Sequence, residues 1–375
     1  MPRADDSDHT DDHTELMALA VRLARGAGSL TVRLRADGRA DGRGDGRPDG
    51  GADGGADGGA EGRGDGSADG RPDGGGDGRE DGGADGGAEG RGDGGADGGA
   101  NGGAAGRGDG GAEGGGDCGA EGRGDGGADG GADGGSLGVA VKSSPTDVVT
   151  DVDRASERWL ADELARLRPD DGLLGEEGAH RPGGSGVRWV VDPIDGTVNF
   201  LYGLRPYAVS VAAERDGQVV AGAVHDPTSG ETFSAALGAG AYLDGAPIGG
   251  RWVAAELATA VIATGFGYDA GVRAGQGEVL AGLLPRIGNL RRLGSAALDL
   301  CYVAAGRLDG YYEHGLKDWD RAAGLLVATE AGVVVGGLRG RPPGVLTVAA
   351  SPTVASELTT LLEELGADDI ADLYG

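Results

Sequence analysis

Apolar residues recur at helical spacing in two segments near the start of the chain. The first runs from Glu15 to Arg25 and predicts an amphipathic helix that ends near Gly26. Its apolar stripe consists of Leu16, Leu19, Ala20, Leu23 and Ala24. The second runs from Asp153 to Leu167, and Pro169 stops it because proline cannot continue a helix. Its apolar side consists of Ala155, Trp159, Leu160, Leu164 and Leu167.

After the second helix the pattern changes to short apolar or alternating runs. Val187 to Val191 ends at Asp192 and is typical of a buried strand. Three later runs, separated by Asp-Gly and Pro-x-x-Gly turn signals, predict an antiparallel meander: Tyr207 to Glu214, Gln218 to Asp226 and Glu231 to Leu237. Helices are predicted at about Ser295 to Ala305 and Trp319 to Glu330. Because strands and helices mix without regular βαβ alternation, we expect a layered α+β fold.

A four-residue repeat, x-x-[Asp/Glu]-Gly, separates the first helix from the second. From Asp37 to Gly134 it holds 45 of the chain's 84 glycines and no Val, Ile, Leu, Met, Phe, Tyr or Trp. A segment with nothing apolar to bury cannot offset the entropy of ordering itself, so we predict a disordered insertion. The alternative is a calcium-ordered roll, but such arrays carry a large apolar residue in each repeat, which is missing here.

These features divide the 375 residues into one folded domain with additions. The predicted segments are a disordered N-terminal tail (1–13), the first helix of the domain (14–35), the disordered insertion (36–135), the remainder of the domain (136–365) and a C-terminal tail (366–375). Roughly 277 residues lie outside the repeat, which is a normal size for one large domain. The insertion therefore interrupts a fold that the flanking segments build together.

The charge balance excludes several classes of partner. The formal net charge is −29, and the repeat contributes 24 acids against 9 arginines. Such a balance argues against nucleic acid and against an anionic membrane surface. Two cysteines, Cys118 and Cys301, give no disulfide framework. The polar, acidic first residues are unlike a signal peptide, and no run approaches about 18 apolar residues, so we expect a cytoplasmic protein with no membrane partner.

The densest candidate for chemistry is Asp192-Pro193-Ile194-Asp195-Gly196-Thr197, directly after the apolar strand. Two carboxylates three residues apart on a proline-stiffened turn can point at one spot and hold a hard cation. The amides of Gly196 and Thr197 then suit an anion at the start of the element that follows. The alternative is a capped turn in which Asp195 merely satisfies backbone donors.

Three further polar segments are each weak evidence for a functional site when taken alone. Glu176 and Glu177 sit in a loop, where a solvated acidic loop is the alternative. Asp318 and Asp320 precede an apolar helix, where simple N-capping is the alternative. Lys142, with Asp147 and Asp153 downstream, is one of only two lysines in the chain. The candidate ligands are all oxygen and no histidine pair has metal spacing, which favours magnesium or manganese over zinc.

Taken together, these segments resemble the inositol monophosphatase family. The segment VRWVVDPIDGTVNF (187–200) is similar to the family's first metal signature, and LKDWDRAAGLLVATEAG (316–332) is similar to its second. Four more segments match in kind and order: KSSPTDVVTDVD (142–153), LLGEEG (173–178), GSAALDLC (294–301) and YYEHG (311–315). The long repeat is the clear departure from the family pattern.

The resemblance implies a layered αβαβα sandwich of the inositol monophosphatase and fructose-1,6-bisphosphatase type, and a magnesium-dependent phosphomonoesterase. In that pattern the first Mg²⁺ is held by Glu176, Asp192 and the Ile194 carbonyl, and the second by Asp192, Asp195 and Asp320. A third, more weakly bound ion would be coordinated by Glu176 and water, and Mn²⁺ could substitute for Mg²⁺.

The resemblance also implies roles in catalysis and substrate binding. Thr197 and Asp153, with Glu176, orient and deprotonate the attacking water, while the Gly196 and Thr197 amides hold the phosphate. Substrate hydroxyls meet Asp195, the Ala296 backbone and Glu313. Lys142 lies either near the metal loop or on the surface with a satisfied partner.

The implied reaction is hydrolysis of inositol monophosphate to inositol and phosphate by metal-activated water. Alternatives on the same fold are histidinol phosphate, fructose 1,6-bisphosphate and adenosine 3′,5′-bisphosphate. An alternative of another class is a non-catalytic, regulatory binding protein in which the acidic repeat is the working part. The family further implies a small phosphorylated polyol as substrate, a homodimer and sensitivity to lithium. The repeat itself suggests a hypothesis that deletion of residues 37 to 134 tests: a polyanionic loop that holds divalent ions or repels anionic substrates.

Overall fold

A computed structural model describes residues 4–41, 138–142 and 148–370 of the chain. The helices in these ranges are α1 (Ala4–Asp41), α2 (Asp151–Leu167), α3 (Thr197–Tyr202), α4 (Ala270–Leu283), α5 (Ala296–Ala304), α6 (Asp318–Glu330) and α7 (Ala355–Glu364). Short 3₁₀ turns lie at Leu257–Thr259 and Leu284–Arg286. The predicted disordered insertion, beyond its first residues, and Cys118 lie outside the described residues.

The strands form three sheets. A two-stranded sheet pairs β1 (Val139–Val141) with β2 (Val148–Thr150). The strands of the large sheet are β3 (Gly172–Gly175), β4 (His180–Arg181), β5 (Val187–Asp195), β6 (Ala208–Arg215), β7 (Gln218–His225), β8 (Thr232–Ala236), β9 (Gly240–Leu243) and β10 (Ala246–Ile248), in the order β10-β9-β8-β7-β6-β5-β3-β4. Those of the smaller sheet are β11 (Val261–Thr264), β12 (Asn289–Arg291), β13 (Gly310–His314), β14 (Val334–Gly336) and β15 (Leu346–Ala350), in the order β12-β11-β13-β15-β14.

Five layers follow from what packs on each sheet. Helices α1 and α2 cover one face of the large sheet, and α5 and α6 lie on its other face. Helices α5 and α6 also pack against the smaller sheet, and the far face of that sheet carries α4 and α7. Each of the four interfaces has its own buried apolar cluster. The predicted αβαβα sandwich is therefore confirmed, as is the antiparallel β6-β7-β8 meander.

The predicted apolar stripes supply much of what these layers bury. Among their residues Leu19, Ala155, Trp159 and Leu167 are only partly buried, and those at most 2% exposed are Leu16, Ala20, Leu23, Ala24, Leu160 and Leu164. They pack against Trp189 of β5 and its neighbours in the large sheet. When the apolar stripe of a helix packs against the apolar face of a sheet, both surfaces are removed from water. This interface is therefore the part of the fold that the periodicity of apolar residues predicts most directly.

The first helix is longer than predicted. The prediction of a tail over 1–13 is wrong from residue 4 onward and the helix is not confined to 14–35, because α1 runs from Ala4 to Asp41. Residues 36–41 of the predicted disordered insertion belong to the same helix. It passes through Gly26 and Gly28, although the sequence pattern predicts a helix end near Gly26. A Cβ at Gly26 would lie 2.2 Å from Trp159 Cη2, and one at Gly28 would lie 2.5 Å from His225 Cδ2. These glycines permit close packing and do not end the helix. No helix in the described ranges, α1 included, has an apolar stretch that could cross a membrane.

The C-terminal boundary also moves. The prediction of a tail from 366 onward is wrong up to residue 370, because Ala367 and Ile370 are buried in the cluster around α7. Asp368 pairs with Arg341, and His314 Nε2 contacts the Ala367 carbonyl oxygen. The sequence could not indicate this, since the partners lie tens of residues away. Residues 371–375 are outside the described ranges.

Candidate active site

The site begins at the end of β5, in the middle of the large sheet. The pairing of β5 with β6 changes register between Asp192 and Asp195, so the strand bulges where the DPIDGT motif begins. Asp192 and Ile194 are each about 1% exposed, and the Ile194 amide donates to Asp192 Oδ1 at 3.0 Å. The bulge turns consecutive polar groups of one strand toward the same side.

Gly196 connects β5 to α3 through a left-handed backbone, with φ of 95°. A Cβ there would lie 2.8 Å from the Gly294 carbonyl oxygen, so both the conformation and the space require glycine. The next residue, Thr197, begins α3. Its hydroxyl oxygen lies 3.1 Å from Asp153 Oδ1 and 3.1 Å from the Ile194 carbonyl oxygen. Thr197 therefore links the end of β5 to α2.

Asp153 reaches this point from the first turn of α2. The Thr150 amide donates to its Oδ2 at 3.0 Å, and the Thr150 side chain in turn accepts from the amide of Asp153. Asp153 is fully buried, and burial raises its pKa although hydrogen bonds from Thr150 and Thr197 lower it. The local capping box of α2 thus fixes a buried carboxyl that has an increased proton affinity.

Glu176 and Glu177 follow β3, which runs parallel to β5. Lys142 Nζ donates to Glu176 Oε1 at 2.8 Å and to Glu177 Oε1 at 2.6 Å. Of the two alternatives for Lys142, the structure therefore has the one beside the acidic loop. Partial burial would lower the pKa of Lys142, but the two carboxylates outweigh it and raise the pKa. Burial raises the pKa of Glu177 to about 7.

Asp195 joins the end of β5 to α5. Its Oδ2 accepts from the Ser295 hydroxyl and the Ala297 amide, each at 2.7 Å. The donors that Asp195 satisfies belong to a helix 100 residues further along the chain, so it is more than a locally capped turn. Ala296, the first residue of α5, faces the same cleft. Burial raises the pKa of Asp195 to about 6 in spite of these hydrogen bonds.

Asp320 and Glu313 complete the wall on the side of the smaller sheet. Neither Asp318 nor Asp320 is the N-cap residue, because α6 begins at Asp318 and its N-cap is Lys317. Asp320, the third residue of the helix, accepts from the Lys317 amide at 2.7 Å through Oδ2, which is the N3 half of a capping box. Its carboxylate also lines the cleft. Glu313 of β13 accepts from the Tyr311 hydroxyl at 2.6 Å, and burial raises its pKa to about 7. Both acids therefore face the groups on β5.

One cleft of about 670 Å³ brings the predicted residues together. Those that line it are Lys142, Glu176, Asp192, Ile194, Asp195, Gly196, Thr197, Ala296, Glu313 and Asp320. Asp153 lies behind Thr197 and does not line the cleft. Two residues that sequence reasoning missed are Arg292, which lines the cleft, and Glu157, which is buried beneath the Glu176 loop. The available signal for Glu157 was an acid on the apolar stripe of α2.

The carboxylates in the cleft oppose one another electrostatically. Burial raises the pKa of Asp192 well above its usual value, and the charges of Glu176, Asp195 and Asp320 raise it further. They do not form a closed cage, since within the described ranges no three His, Cys, Asp or Glu side chains enclose a point. The donors are nevertheless all oxygen, the ligand type that Mg²⁺ prefers, and Mg²⁺ usually keeps several waters in place of protein ligands.

Comparison with known proteins agrees with this geometry. The model of the inositol monophosphatase family matches residues 127–370, which contain every predicted site residue. The chain belongs to the inositol monophosphatase family. It is 49% identical over 247 residues to the inositol-1-monophosphatase of Mycobacterium bovis, covering 62% of this chain and 84% of that protein.

Two solved structures share the fold. SuhB of Mycobacterium tuberculosis is 50% identical with a TM-score of 0.52, and the match covers 57% of this chain and 84% of that one. The extragenic suppressor protein suhB of Bartonella henselae is 37% identical with a TM-score of 0.58, covering 61% of this chain and 89% of that one. As a member of the inositol monophosphatase family, the chain is a phosphatase of the α+β sandwich type.

Proposed function

We propose that this inositol monophosphatase family member is a Mg²⁺-dependent phosphomonoesterase that hydrolyses inositol monophosphate to inositol and phosphate. The observation that carries the proposal is the single cleft in which Glu176, Asp192, Asp195 and Asp320 face one another beside Thr197. The inositol-1-monophosphatase name of the Mycobacterium bovis relative supports inositol phosphate as the substrate.

The donor set supports two or three bound ions. Glu176, Asp192 and the Ile194 carbonyl would hold one ion, and Asp192, Asp195 and Asp320 would hold a second. A third would rest on Glu176 and water, and Mn²⁺ is a possible substitute. When bound, the metal supplies positive charge that lowers the pKa of a water molecule and offsets the negative charge of the phosphate.

Thr197 and Asp153 would receive the proton of the attacking water. Thr197 Oγ1 can accept a hydrogen bond from water while it donates its own hydrogen to Asp153 Oδ1, 3.1 Å away. The raised pKa of the buried Asp153 favours the arrival of that proton. Glu176, which lines the same cleft, would help to orient the water.

The remaining residues would bind the substrate. The amides of Gly196 and Thr197 would hold the phosphate oxygens. The Asp195 carboxylate, the Ala296 backbone and the Glu313 carboxylate would meet the polyol hydroxyls, since all three groups line the cleft. Acceptors of this kind suit a ring that carries many hydroxyl groups, because each buried O–H needs a partner.

Three properties expected from the sequence and the family stay predictions: a homodimer, inhibition by lithium and a cytoplasmic location. The alternative of a non-catalytic binding protein predicts loss of at least one acid from the site. The full set of Glu176, Asp192, Asp195, Thr197 and Asp320 favours hydrolysis instead.

A substrate panel tests the proposal. Phosphate release is measured from myo-inositol 1-phosphate, histidinol phosphate, fructose 1,6-bisphosphate and adenosine 3′,5′-bisphosphate at saturating Mg²⁺. The proposal predicts the highest kcat/KM for myo-inositol 1-phosphate. A higher value for another member of the panel would reassign the substrate, and no release from any of them by folded protein would favour the binding alternative.

A further inference from the structure

Glu157 is a buried acid that the proposed reaction does not use. It lies on α2 one turn after Asp153 and is only 4% exposed. Its carboxylate points away from the cleft and into the loop that follows β3. Oε2 accepts from the Glu177 amide and Oε1 accepts from the Ala179 amide, each at 2.7 Å. Both oxygens of one carboxylate are therefore committed to the backbone of a single loop.

That loop is closed around the carboxylate. The Gly175 amide donates to the Ala179 carbonyl oxygen at 2.7 Å, which joins the two ends of the loop. A Cβ at Gly175 would lie 2.3 Å from Glu157 Oε2, so no side chain larger than glycine's hydrogen fits between them. The Glu157 carboxylate therefore occupies the space inside the 175–179 loop.

The same loop carries Glu176 to the metal-binding side. The Glu176 amide donates to the Val191 carbonyl oxygen at 3.3 Å, directly before Asp192. The position of the Glu176 backbone relative to Asp192 thus depends on how the 175–179 turn is held. Without an acceptor at Glu157, the amides of Glu177 and Ala179 would lose their partners, and the loop would rearrange to find others.

We propose that Glu157 is a positioning residue for Glu176, which holds the 175–179 loop in the one conformation that places Glu176 beside Asp192 for metal binding. The inference rests on the proposed function of the cleft. It differs from a general structural role because it predicts an effect on metal affinity in protein that is still folded. Partners that orient metal ligands typically contribute about 10- to 100-fold to affinity.

The test compares Mg²⁺ binding by the purified full-length chain and its Glu157→Gln variant. Glutamine keeps the size of the side chain but turns one acceptor oxygen into an NH₂ group, which faces a backbone N–H. Isothermal titration calorimetry should show the Mg²⁺ Kd raised by about 10- to 100-fold. Phosphate release should recover to within several-fold of the parent chain at saturating Mg²⁺. Glu163→Gln on the same helix is the matched control, since Glu163 pairs with Arg166 at the surface and has no hydrogen bond or ion pair to the 175–179 loop, all of which the structure describes, and the Kd of this variant should not change.

A second variant, in which Glu157 is unchanged, keeps the test informative if Glu157→Gln folds poorly, and a double-mutant cycle then tests the coupling. Gly175→Ala disturbs the same contact from the loop side and should also raise the Mg²⁺ Kd. In a Glu157→Ala background the added methyl has room, so Gly175→Ala should then have little further effect. Additive effects of the two substitutions on Kd would overturn the proposal.

A lowered melting temperature for Glu157→Gln with an Mg²⁺ Kd within about twofold of the parent would also overturn it, leaving a purely structural role. Failure of the proposed function is distinguishable, because it would show in the parent chain as the absence of both Mg²⁺ binding and phosphate release. That outcome would overturn both proposals.

Discussion

Thr197 holds its hydroxyl oxygen 3.1 Å from Oδ1 of Asp153, and this contact joins the first residue of α3 to the first turn of α2. The two residues are 44 positions apart in the chain. One of them lines the cleft and the other is fully buried behind it. A hydroxyl with a buried acceptor at its back can receive a proton on its open side and pass its own inward.

Replacing Thr197 by valine should therefore remove the hydroxyl that passes the proton to Asp153 while keeping the shape of the side chain. We expect kcat to fall by about 10²- to 10⁴-fold, the range typical of general acid–base catalysis, with a smaller change in KM. Thr197→Ser keeps the hydroxyl and should stay within several-fold of the parent. Steady-state kinetics at saturating Mg²⁺ checks both variants. A valine variant with more than half of the parent's kcat would exclude this role.

Glu313 should make substrate binding depend on pH. Burial raises its pKa to about 7, so the carboxylate that accepts polyol hydrogen bonds is mostly protonated at pH 6 and mostly ionised at pH 8. Because bound Mg²⁺ favours the ionised carboxylate, we expect KM for inositol phosphate to fall as pH rises through a value at or below about 7. The substrate phosphate also titrates, so the measured quantity is the ratio of KM for Glu313→Gln to KM for the parent. This ratio should rise with pH, and a constant ratio would contradict the assignment.

The metal-free protein should lose stability as pH rises from about 4 to 7. Burial raises the folded-state pKa of Asp195 to about 6 and of Glu177 and Glu313 to about 7. In that window the folded chain binds more protons than the unfolded chain, so the free energy of unfolding falls with rising pH. His225 contributes with the opposite sign, because burial lowers its pKa.

Urea unfolding in EDTA at several pH values measures this loss, and the same series in Mg²⁺ is the control. Bound cations favour the ionised carboxylates, so the decline should be smaller in Mg²⁺. Equal declines with and without Mg²⁺ would mean that the cleft acids do not bind the ion.

Gly26 should tolerate no side chain although it lies inside a helix. A Cβ there would lie 2.2 Å from Trp159, so we expect Gly26→Ala to cost about 1–3 kcal/mol of the free energy of unfolding. Gly277 of α4 is the matched control, since a Cβ there meets nothing within 4 Å. Gly277→Ala should stabilise by about 0.5–1 kcal/mol, because alanine is the better helix former. Denaturant unfolding checks both, and equal effects at the two positions would contradict the packing account.

Local patterns predicted four of the seven described α-helices and strands β5 to β8 of the large sheet, whereas the five-layer sandwich was implied by the resemblance to the family. Contacts between distant segments account for part of what the patterns missed. The DPIDGT motif lies within the end of one strand and the turn that follows it, so its residues are neighbours in the sequence as well as in the fold. Asp192, Asp195 and Thr197 could therefore be found from the sequence. The position of Glu157 on the apolar stripe of α2 marks it as a buried acid, but its role could not be found from the sequence, because its partners are the amides of Glu177 and Ala179, 20 and 22 residues away.

The two errors in the domain boundaries have the same origin. Gly26 reads as a helix end by itself, and only the packing of Trp159 against it explains why α1 continues. Residues 367 to 370 read as a tail, and contacts with distant residues attach this segment to the domain: Asp368 pairs with Arg341, and the Ala367 carbonyl oxygen contacts His314. Tertiary packing overrides local preference in both places.

The most direct test of the central claim is phosphate release from myo-inositol 1-phosphate with Mg²⁺ titrated from zero, for the parent chain and Asp192→Asn. Asp192 is the ligand proposed to be shared by two ions, and its amide variant removes a charge from a buried site that disfavours it, so the variant should remain folded in EDTA. We expect no release without Mg²⁺, saturable activation in the parent and loss of release in the variant. Release that is independent of Mg²⁺, or a variant as active as the parent, would contradict this expectation.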